Sequence, residues 1–210
     1  MTTMIVFAGG ETPPPQVLED LPEVALVVAA DGGYDVALAL GQAVDVIVGD
    51  LDSIQTLELP PHVLVERHPE DKDATDLELA LDMVIADRPQ RVIVVGGTGG
   101  RHDHETATAA LLCSARYASI DEIDWVSARG RAHVIRGRRL IHADLGATLS
   151  LIPTNGDVHG VTTSGLRWNL TDATLTAGTT RGVSNEMTSP VADIRVRSGV
   201  LLAVLPTAQY

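Results

Sequence analysis

Residues 44–53 read VDVIVGDLDS, an apolar run that ends in a glycine and two carboxylates. The run Val44–Val48 is rich in β-branched residues, a composition typical of strands that are buried on both faces. Asp50 and Asp52 follow it two residues apart, so in an extended segment their side chains point to the same side. Open α/β sheets bind ligands in the crevice at the carboxyl ends of their strands. The stretch therefore predicts a parallel sheet with two carboxylates at its ligand-binding edge.

The first half of the chain alternates strand patterns with helix patterns. A helix is predicted over Asp76–Asp87, where Thr75 and Glu78 form a capping box at its start. A second helix is predicted from about His104 to Tyr117, with Asp103 as its N-cap. This alternation predicts an α/β domain over residues 1–127, a Rossmann-like parallel sheet with helices on both faces. Its strands are predicted at Met4–Ala8, Ala25–Ala30, Val44–Val48, Val63–Val65 and Val92–Val95.

The pattern changes after about residue 125, and no long helical period is visible beyond it. Short β-rich segments separated by turn sequences predict a small all-β sandwich domain over residues 131–210. We place the boundary near Ser127–Gly130. The predicted strands are Ala132–Ile135, Thr148–Ile152, Ala173–Thr176, Ile194–Val196 and Val200–Leu205.

Composition narrows the classes of function. Hydrophobic residues make up 45% and charged residues 20% of the chain, which predicts a packed core rather than disorder. The formal net charge of −13 argues against nucleic acid as a partner, because binding to a phosphate backbone depends on Lys and Arg. The single cysteine, Cys113, excludes an intramolecular disulfide and is expected in the core. No stretch approaches the length of a membrane span, and Met1–Ala8 lacks the basic region of a signal peptide, so we expect a cytoplasmic protein.

Two further clusters carry charge. Lys72 lies among acidic residues just before the helix that begins at Asp76, and we interpret it as a phosphate ligand, although a solvated charge run remains open. Asp76 at a helix start can also serve only the helix dipole. The glycine-rich stretch that ends in Arg101 permits close backbone approach to a phosphate, but it matches neither the Walker P-loop nor the dinucleotide-binding pattern. Together with Asp50 and Asp52, these clusters suit a magnesium–polyphosphate site, and His102 and His104 lack the partners of a zinc site.

Five motifs in order resemble the thiamine pyrophosphokinase family across nearly the whole chain. They are Ala30-Asp31-Gly32-Gly33, Gly49-Asp50-Leu51-Asp52-Ser53, Lys72-Asp73-Ala74-Thr75-Asp76, Gly99-Gly100-Arg101-His102-Asp103-His104 and Gly182-Val183-Ser184-Asn185-Glu186. The resemblance implies that the primary alcohol of thiamine attacks the β-phosphorus of ATP, giving thiamine diphosphate and AMP. One position departs from the family, because Thr108 stands where an Asn is common.

The resemblance also implies roles for individual residues. Magnesium is expected on Asp50, Asp52 and Asp76, and ATP on Asp31, Gly32, Gly33, Lys72, Gly99, Gly100 and Arg101. Lys72 and Arg101 are expected to neutralise phosphates, and Asp103 or a neighbouring carboxylate to accept the proton of the alcohol. Thiamine is expected at Trp168, Ser184 and Asn185, although a lone Trp is more often a core residue.

The resemblance further implies a homodimer, in which each thiamine pocket is shared between the α/β domain of one subunit and the β domain of the other. Two rival functions stay open. One is a diphosphokinase of another heterocyclic alcohol such as a pterin, and the other is a non-catalytic thiamine-binding protein.

Overall fold

The computed structural model describes residues 1–19, 21–56 and 59–206. The chain divides into two compact units, the first formed by residues 1–108 and 119–129 and the second by residues 109–118 and the chain from Gly130 onward. The fold is mixed α/β, with a large parallel sheet in the first unit and antiparallel β structure in the second. None of the described helices is long and apolar enough to cross a membrane.

The described part of the first unit contains six strands, and they form a parallel sheet in the order β4-β3-β2-β1-β5-β6. All five strands predicted in this half are present, with bounds that differ by one or two residues, and β6 is a further strand that the prediction missed. The strands are β1 (Thr3–Ala8), β2 (Val24–Ala30), β3 (Val46–Gly49), β4 (Leu64–Arg67), β5 (Arg91–Gly96) and β6 (Glu122–Ser127).

Burial separates the central strands from the edge. All six residues of β1 are buried, as expected for a strand covered on both faces. All four residues of β4 are exposed, so the expectation of two buried faces is wrong for this strand. The reason is its place in the sheet, because β4 is paired with β3 and ends the strand order.

The helices are α1 (Gly33–Ala39), α2 (Asp76–Ala86) and α3 (His102–Leu112). The start of α2 is as predicted, since the Thr75 hydroxyl accepts a hydrogen bond from the backbone N–H of Glu78 at 3.3 Å. The bounds predicted for α3 are wrong. It begins two residues earlier, so Asp103 lies in its first turn instead of capping it, and a separate 3₁₀ turn over Ala115–Tyr117 follows it.

Helix α1 packs on the face of the sheet that carries Ile5 and Phe7, and its residues Tyr34 and Val36 belong to the same hydrophobic cluster. Gly33 makes this packing possible. A Cβ atom on Gly33 would lie 2.1 Å from the carbonyl oxygen of Phe7, so no larger residue fits where the helix meets β1.

The described part of the second unit contains eight strands that pair antiparallel in two sets of four, in the orders β12-β9-β14-β7 and β11-β10-β13-β8. One hydrophobic cluster includes Leu151 and Leu201 from the first set and Val161 and Ile194 from the second. The five β segments predicted in this half are present, whereas β8, β10 and β12 were not predicted. The strands are β7 (Gly130–Ile135), β8 (Arg138–His142), β9 (Thr148–Pro153), β10 (Val158–Ser164), β11 (Ala173–Leu175), β12 (Asn185–Glu186), β13 (Val191–Arg195) and β14 (Leu201–Leu205).

Candidate functional site

Three carboxylates of the first unit converge where its parallel strands end. Asp31 follows β2, Asp50 follows β3, and Asp76 is the first residue of α2. One carboxylate oxygen of each lies within 4.8 Å of those of the other two. We call these three residues the acidic group. Three hard oxygen donors at this spacing are the ligands that Mg²⁺ prefers.

The backbone around the acidic group is unusual, which explains how the carboxylates approach one another. Gly49 has φ 147°, and a Cβ atom there would lie 2.9 Å from Asp76 Oδ1 and 3.1 Å from Asp31 Cβ. Asp31 itself and Leu51 have positive φ values of 43° and 71°. Residues held in such conformations cost free energy and are frequent at ligand sites. Glycine at position 49 is therefore required by the side chains of the site.

Lys72 places a positive charge beside the acidic group. Its Nζ donates a hydrogen bond to Asp50 Oδ2 at 2.8 Å, and it lies 2.8 Å from Asp76 Oδ1 in an ion pair without hydrogen-bond geometry. The hydrogen bond from Lys72 lowers the pKa of Asp50 below its ordinary value. Burial alone would lower the pKa of Lys72, but its hydrogen bond to Asp50 and its ion pair with Asp76 outweigh burial and raise that pKa. Lys72 is therefore charged at neutral pH.

Asp31 is the most buried member of the acidic group, at 7% exposure. Burial raises its pKa, hydrogen bonds from Ser53 and from the backbone of Gly32 oppose that shift, and the nearby charges of Asp76 and Asp52 add to it. Its Oδ1 atom is buried and has no hydrogen-bond partner among the described residues. Because an unpaired buried carboxylate oxygen is costly, a divalent cation bound beside it would remove a penalty of the fold. The residues present thus fit a magnesium ion.

Asp52, the third metal ligand expected from the sequence, lies outside the acidic group. Its Oδ1 accepts a hydrogen bond from Ser53 Oγ at 2.9 Å, and its backbone N–H approaches Asp50 Oδ1 at 3.3 Å. In this arrangement Asp52 orients Asp50, and its role as a metal ligand stays a prediction.

Arg101 and Asp103 pair with each other at the start of α3. The guanidinium donates two hydrogen bonds to the carboxylate, at 3.1 and 2.6 Å, and both side chains are more than half exposed. The guanidinium lowers the pKa of Asp103 to about 2. A carboxylate with so low a pKa is a poor proton acceptor, so the expected role of Asp103 as a base requires Arg101 to move away.

The glycines expected at the nucleotide occupy two loops of the first unit. Gly32 precedes the first residue of α1, and Gly33 is that residue. Gly99 and Gly100 lie between β5 and α3, and Gly99 has φ 80°. Both loops follow parallel strands, as Asp31 and Asp50 do, which is where an α/β sheet binds its ligand.

The residues expected at thiamine lie together in the second unit. Trp168 is 56% exposed, so the alternative of a core residue is wrong. The guanidinium of Arg167 lies 5.0 Å from the centre of the Trp168 ring. Asn185 is buried, and its side chain hydrogen-bonds the backbone of Trp168. Ser184 has φ 59°, and its backbone N–H donates to the hydroxyl of Ser150 at 3.0 Å.

Two family models match the chain. The catalytic domain of thiamin pyrophosphokinase matches residues 19–123, and the vitamin B1 binding domain of thiamin pyrophosphokinase matches residues 133–201. The chain belongs to the thiamin pyrophosphokinase family. The acidic group and Lys72 fall within the first match, and Trp168, Ser184 and Asn185 within the second.

Individual relatives support the family, and one of them matches along nearly the full length of both chains. A thiamine pyrophosphokinase from Bacillus subtilis is 29% identical over 219 residues, which covers 99% of this chain and 100% of the relative. Thiamine pyrophosphokinase 1 from Oryza sativa is 30% identical over 160 residues, covering 67% of this chain and 58% of the plant protein.

Solved structures of the family share the fold. The crystal structure of the Bacillus subtilis thiamine pyrophosphokinase superimposes with a TM-score of 0.85 at 27% identity, covering 98% of this chain and 99% of that one. The structure of the Geobacillus thermodenitrificans thiamin pyrophosphokinase gives a TM-score of 0.79 at 26% identity, covering 100% and 99%.

For this member of the thiamin pyrophosphokinase family, two features of the candidate site were not predicted from the sequence. Asp31 was expected at the nucleotide, whereas the structure places it in the acidic group. A signal was available, since Asp31 follows a predicted strand just as Asp50 does. Arg167 and Glu186 form an ion pair at 3.0 Å beside Trp168, and the sequence assigned a role to neither of them.

Proposed function

We propose that this chain transfers the diphosphate group of ATP to the primary alcohol of thiamine, giving thiamine diphosphate and AMP. Membership of the thiamin pyrophosphokinase family supports the reaction class. The observation that carries the proposal is the acidic group with Lys72 at the carboxyl ends of the parallel strands. Diphosphate transfer demands alignment of the reactants and neutralisation of their phosphate charge. The carboxylates can hold a divalent cation, and the ammonium group of Lys72 can bind phosphate oxygens directly.

Magnesium would be held by the acidic group, with Asp52 orienting Asp50. A bound Mg²⁺ supplies positive charge that neutralises phosphate oxygens and a template that orients them. The buried Oδ1 of Asp31, which has no hydrogen-bond partner among the described residues, supports this assignment.

The cationic side chains of the first unit would bind the polyphosphate. Lys72 is a compact point charge beside the acidic group, whereas Arg101 offers a planar guanidinium that can hold two oxygens at once. Arg101 is exposed and paired only with Asp103 among the contacts described above, so exchanging that carboxylate for phosphate oxygens would leave Asp103 free. Release from Arg101 would raise the pKa of Asp103 and make it a better acceptor for the proton of the alcohol.

Thiamine would bind at the exposed indole of Trp168. Thiamine is a cationic aromatic compound, and an indole face attracts such a ring by stacking and cation–π contact. Ser184, the residue before the buried Asn185, would add a hydroxyl group to this site.

The finer features expected from the sequence also belong to the proposal. The reversal of strand order at β1, from β2-β3-β4 on one side to β5-β6 on the other, supports the description of the first unit as Rossmann-like. The two family matches support an ATP-binding catalytic domain over residues 1–127 and a thiamine-binding β-sandwich over residues 131–210. A homodimer and a cytoplasmic location stay predictions.

Two rival functions make different predictions. A diphosphokinase of a pterin would use the same acidic group and Lys72 but would not need the exposed Trp168 to favour a cation. A non-catalytic thiamine-binding protein would not need the acidic group, and the presence of all its members together with Lys72 speaks against it.

One assay separates these functions. The protein is incubated with ATP, Mg²⁺ and thiamine, and the products are separated and identified. We expect equal amounts of AMP and thiamine diphosphate. Formation of ADP in place of AMP would contradict diphosphate transfer, and activity with a hydroxymethylpterin but not with thiamine would favour the first rival. Binding of thiamine without any product would favour the second.

A further inference from the structure

The side chain of Asn185 is already occupied within the protein. Its Oδ1 accepts hydrogen bonds from the backbone N–H groups of Trp168 at 3.1 Å and Glu186 at 2.9 Å, and its Nδ2 donates to the carbonyl oxygen of Trp168 at 2.8 Å. A carboxamide can form four such bonds, so three of them are used. Asn185 is also only 5% exposed. Little capacity is left for a ligand, although the sequence placed Asn185 among the thiamine-binding residues.

The backbone that carries Asn185 is held in place as well. Asn185 pairs with Leu149 in the antiparallel ladder between β12 and β9. The preceding residue, Ser184, has a left-handed backbone with φ 59° and donates its N–H to Ser150 Oγ at 3.0 Å. The amide of Asn185 is therefore a fixed point from which the chain segment around Trp168 is held.

That segment carries a large aromatic ring on the surface. Asn185 binds both the N–H and the carbonyl of Trp168, and the N–H of the preceding Arg167 donates to the carbonyl of Glu186 at 2.9 Å. Tryptophan side chains are highly buried on average, whereas this one is 56% exposed. Holding it rigidly lowers the entropy that is lost when a ligand stacks on it.

One face of the ring is already covered. The Arg167 guanidinium lies 5.0 Å from the ring centre, and its Nη1 donates to Glu186 Oε2 at 3.0 Å. Glu186 offsets the charge of Arg167, so the guanidinium would repel a cationic ligand less than an unpaired one. A flat cationic ring would then stack on the opposite face.

We propose that Asn185 is a positioning residue for thiamine, whose amide clamps the main chain of Trp168 so that the indole, backed by Arg167 and Glu186, presents a rigid face to the ligand. The inference rests on the proposed function and deepens it. Asn185 affects thiamine only through Trp168, whereas a direct ligand contact would act independently of that ring.

A double-mutant cycle distinguishes the two roles. Thiamine binding is measured by calorimetry for the wild type, Trp168→Ala, Asn185→Ala and the double variant. We expect Trp168→Ala to weaken binding about tenfold, which corresponds to the loss of one stacking and cation–π contact. Asn185→Ala should weaken it by a similar factor, and the double variant should bind no more weakly than Trp168→Ala alone. Effects that multiply in the double variant would overturn the proposal.

Controls separate this coupling from a general loss of structure. Asn155→Ala removes another asparagine of the second unit, whose Nδ2 donates to the carbonyl of Ala110 at 3.3 Å, and it should bind thiamine as the wild type does. Binding of ATP should not change in any variant. If Asn185→Ala fails to fold, Asn185→Asp takes its place, since it keeps the oxygen acceptor and loses the donor. Asn185→Asp also adds a negative charge. Any effect of that charge that is independent of Trp168 is the same with and without the ring, so it cancels in the coupling energy of the cycle.

A measurement without thiamine tests the clamp by itself. The chain contains two tryptophans, so the emission of Trp168 is obtained by subtracting that of a Trp168→Phe variant. We expect the anisotropy decay of Trp168 to show a larger amplitude of fast motion in Asn185→Ala than in the wild type. An unchanged decay would overturn the proposal. Failure of the proposed function gives a different result, because the wild type would then bind no thiamine while the anisotropy still reports on the clamp.

Discussion

At the scale of single residues, the first unit brings charges of one sign together at the ends of its strands. Asp31, Asp50 and Asp76 share a small volume in which only Lys72 supplies a positive charge among the contacts described. Their mutual repulsion is a cost in the absence of a ligand, and a divalent cation would relieve it. The acidic group therefore has the electrostatics of a binding site rather than of a structural ion pair.

Two substitutions test which carboxylates bind the metal. Asp50→Asn keeps the shape of the side chain and removes the charge that offsets Mg²⁺, so we expect kcat to fall on the order of 10²–10³-fold. Asp52→Asn should lower kcat by about tenfold or less, because Asp52 only orients Asp50. Steady-state rates and Mn²⁺ binding are measured for both variants. An equal loss in both would return Asp52 to the metal ligands that the sequence predicts.

A glycine substitution tests the close approach of the carboxylates. In Gly49→Ala the new Cβ atom would lie 2.9 Å from Asp76 Oδ1, on a backbone with φ 147°. We expect a loss of about 1–3 kcal/mol in unfolding free energy together with weaker Mn²⁺ binding. Gly137→Ala is the control, because a Cβ there meets no atom within 4 Å. Denaturant unfolding of a Gly49→Ala protein as stable as the control would show that the site tolerates the extra atom.

At the scale of elements, charge also supports the pairing of strands in the second unit. Asp193 on β13 binds Arg138 on the neighbouring β8 through two hydrogen bonds of 3.0 Å, and it also binds Arg195. These hydrogen bonds, that of Arg195 first, lower the pKa of Asp193 to about 2. The Arg138–Asp193 pair therefore connects the edge strand β8 to its sheet.

This pairing predicts a dependence of stability on pH. The pKa of Asp193 is lower in the folded chain than its ordinary value of 3.8, so its stabilisation is complete above that value and is lost as the pH falls from about 4 to about 2. The arginines are exposed, so the contribution is at most about 1 kcal/mol. Denaturant unfolding at pH 7 and pH 2.5 should show a smaller difference for Asp193→Asn than for the wild type. An identical difference in both proteins would show that the pairs add nothing to stability.

At the scale of the whole molecule, the proposed chemistry and the proposed choice of substrate lie in different units. The acidic group, Lys72 and Arg101 belong to the first unit, and Trp168, Ser184 and Asn185 to the second. Binding energy from contacts remote from the reacting phosphorus can still be used for alignment. Substitutions in either set of residues can therefore lower kcat, even where each set affects the binding of only one substrate.

Calorimetry with each substrate tests this division. Lys72→Ala should weaken ATP binding and lower kcat, with little effect on thiamine binding, because the ammonium group is expected at the phosphates. Trp168→Ala should raise the KM for thiamine about tenfold, with ATP binding nearly unchanged. If either variant, with its fold intact, lost the binding of both ATP and thiamine, that result would argue against separate roles. Thiamine binding as in the wild type by Trp168→Ala would reopen the pterin alternative.

The expected homodimer is tested by sedimentation at assay concentration. A small β domain has several strand edges, which favours association. We expect a dimer, and an active monomer would refute the shared thiamine site.

The sequence by itself determined the features that depend on neighbouring residues. The start of α2 follows from Thr75 and Glu78, three residues apart, and the central strands follow from runs of β-branched residues. These patterns can be recognised in the sequence because capping and strand propensity act over a few positions along the chain. The bounds of α3 were placed wrongly, because helix ends depend on weak local preferences that the surrounding structure overrides.

Only the tertiary structure decided which distant residues meet. Asp31 joins Asp50 because β2 pairs with β3, and the backbone N–H of Asp31 donates to the carbonyl of Val48 at 2.9 Å. The amide of Asn185 is committed to Trp168, 17 residues away, by the fold of the second unit. Strand order and register arise from burial of whole faces and from long-range pairing, which no local pattern encodes. The motifs thus named the candidate residues of the site, and packing assigned Asp31 and Asn185 their partners.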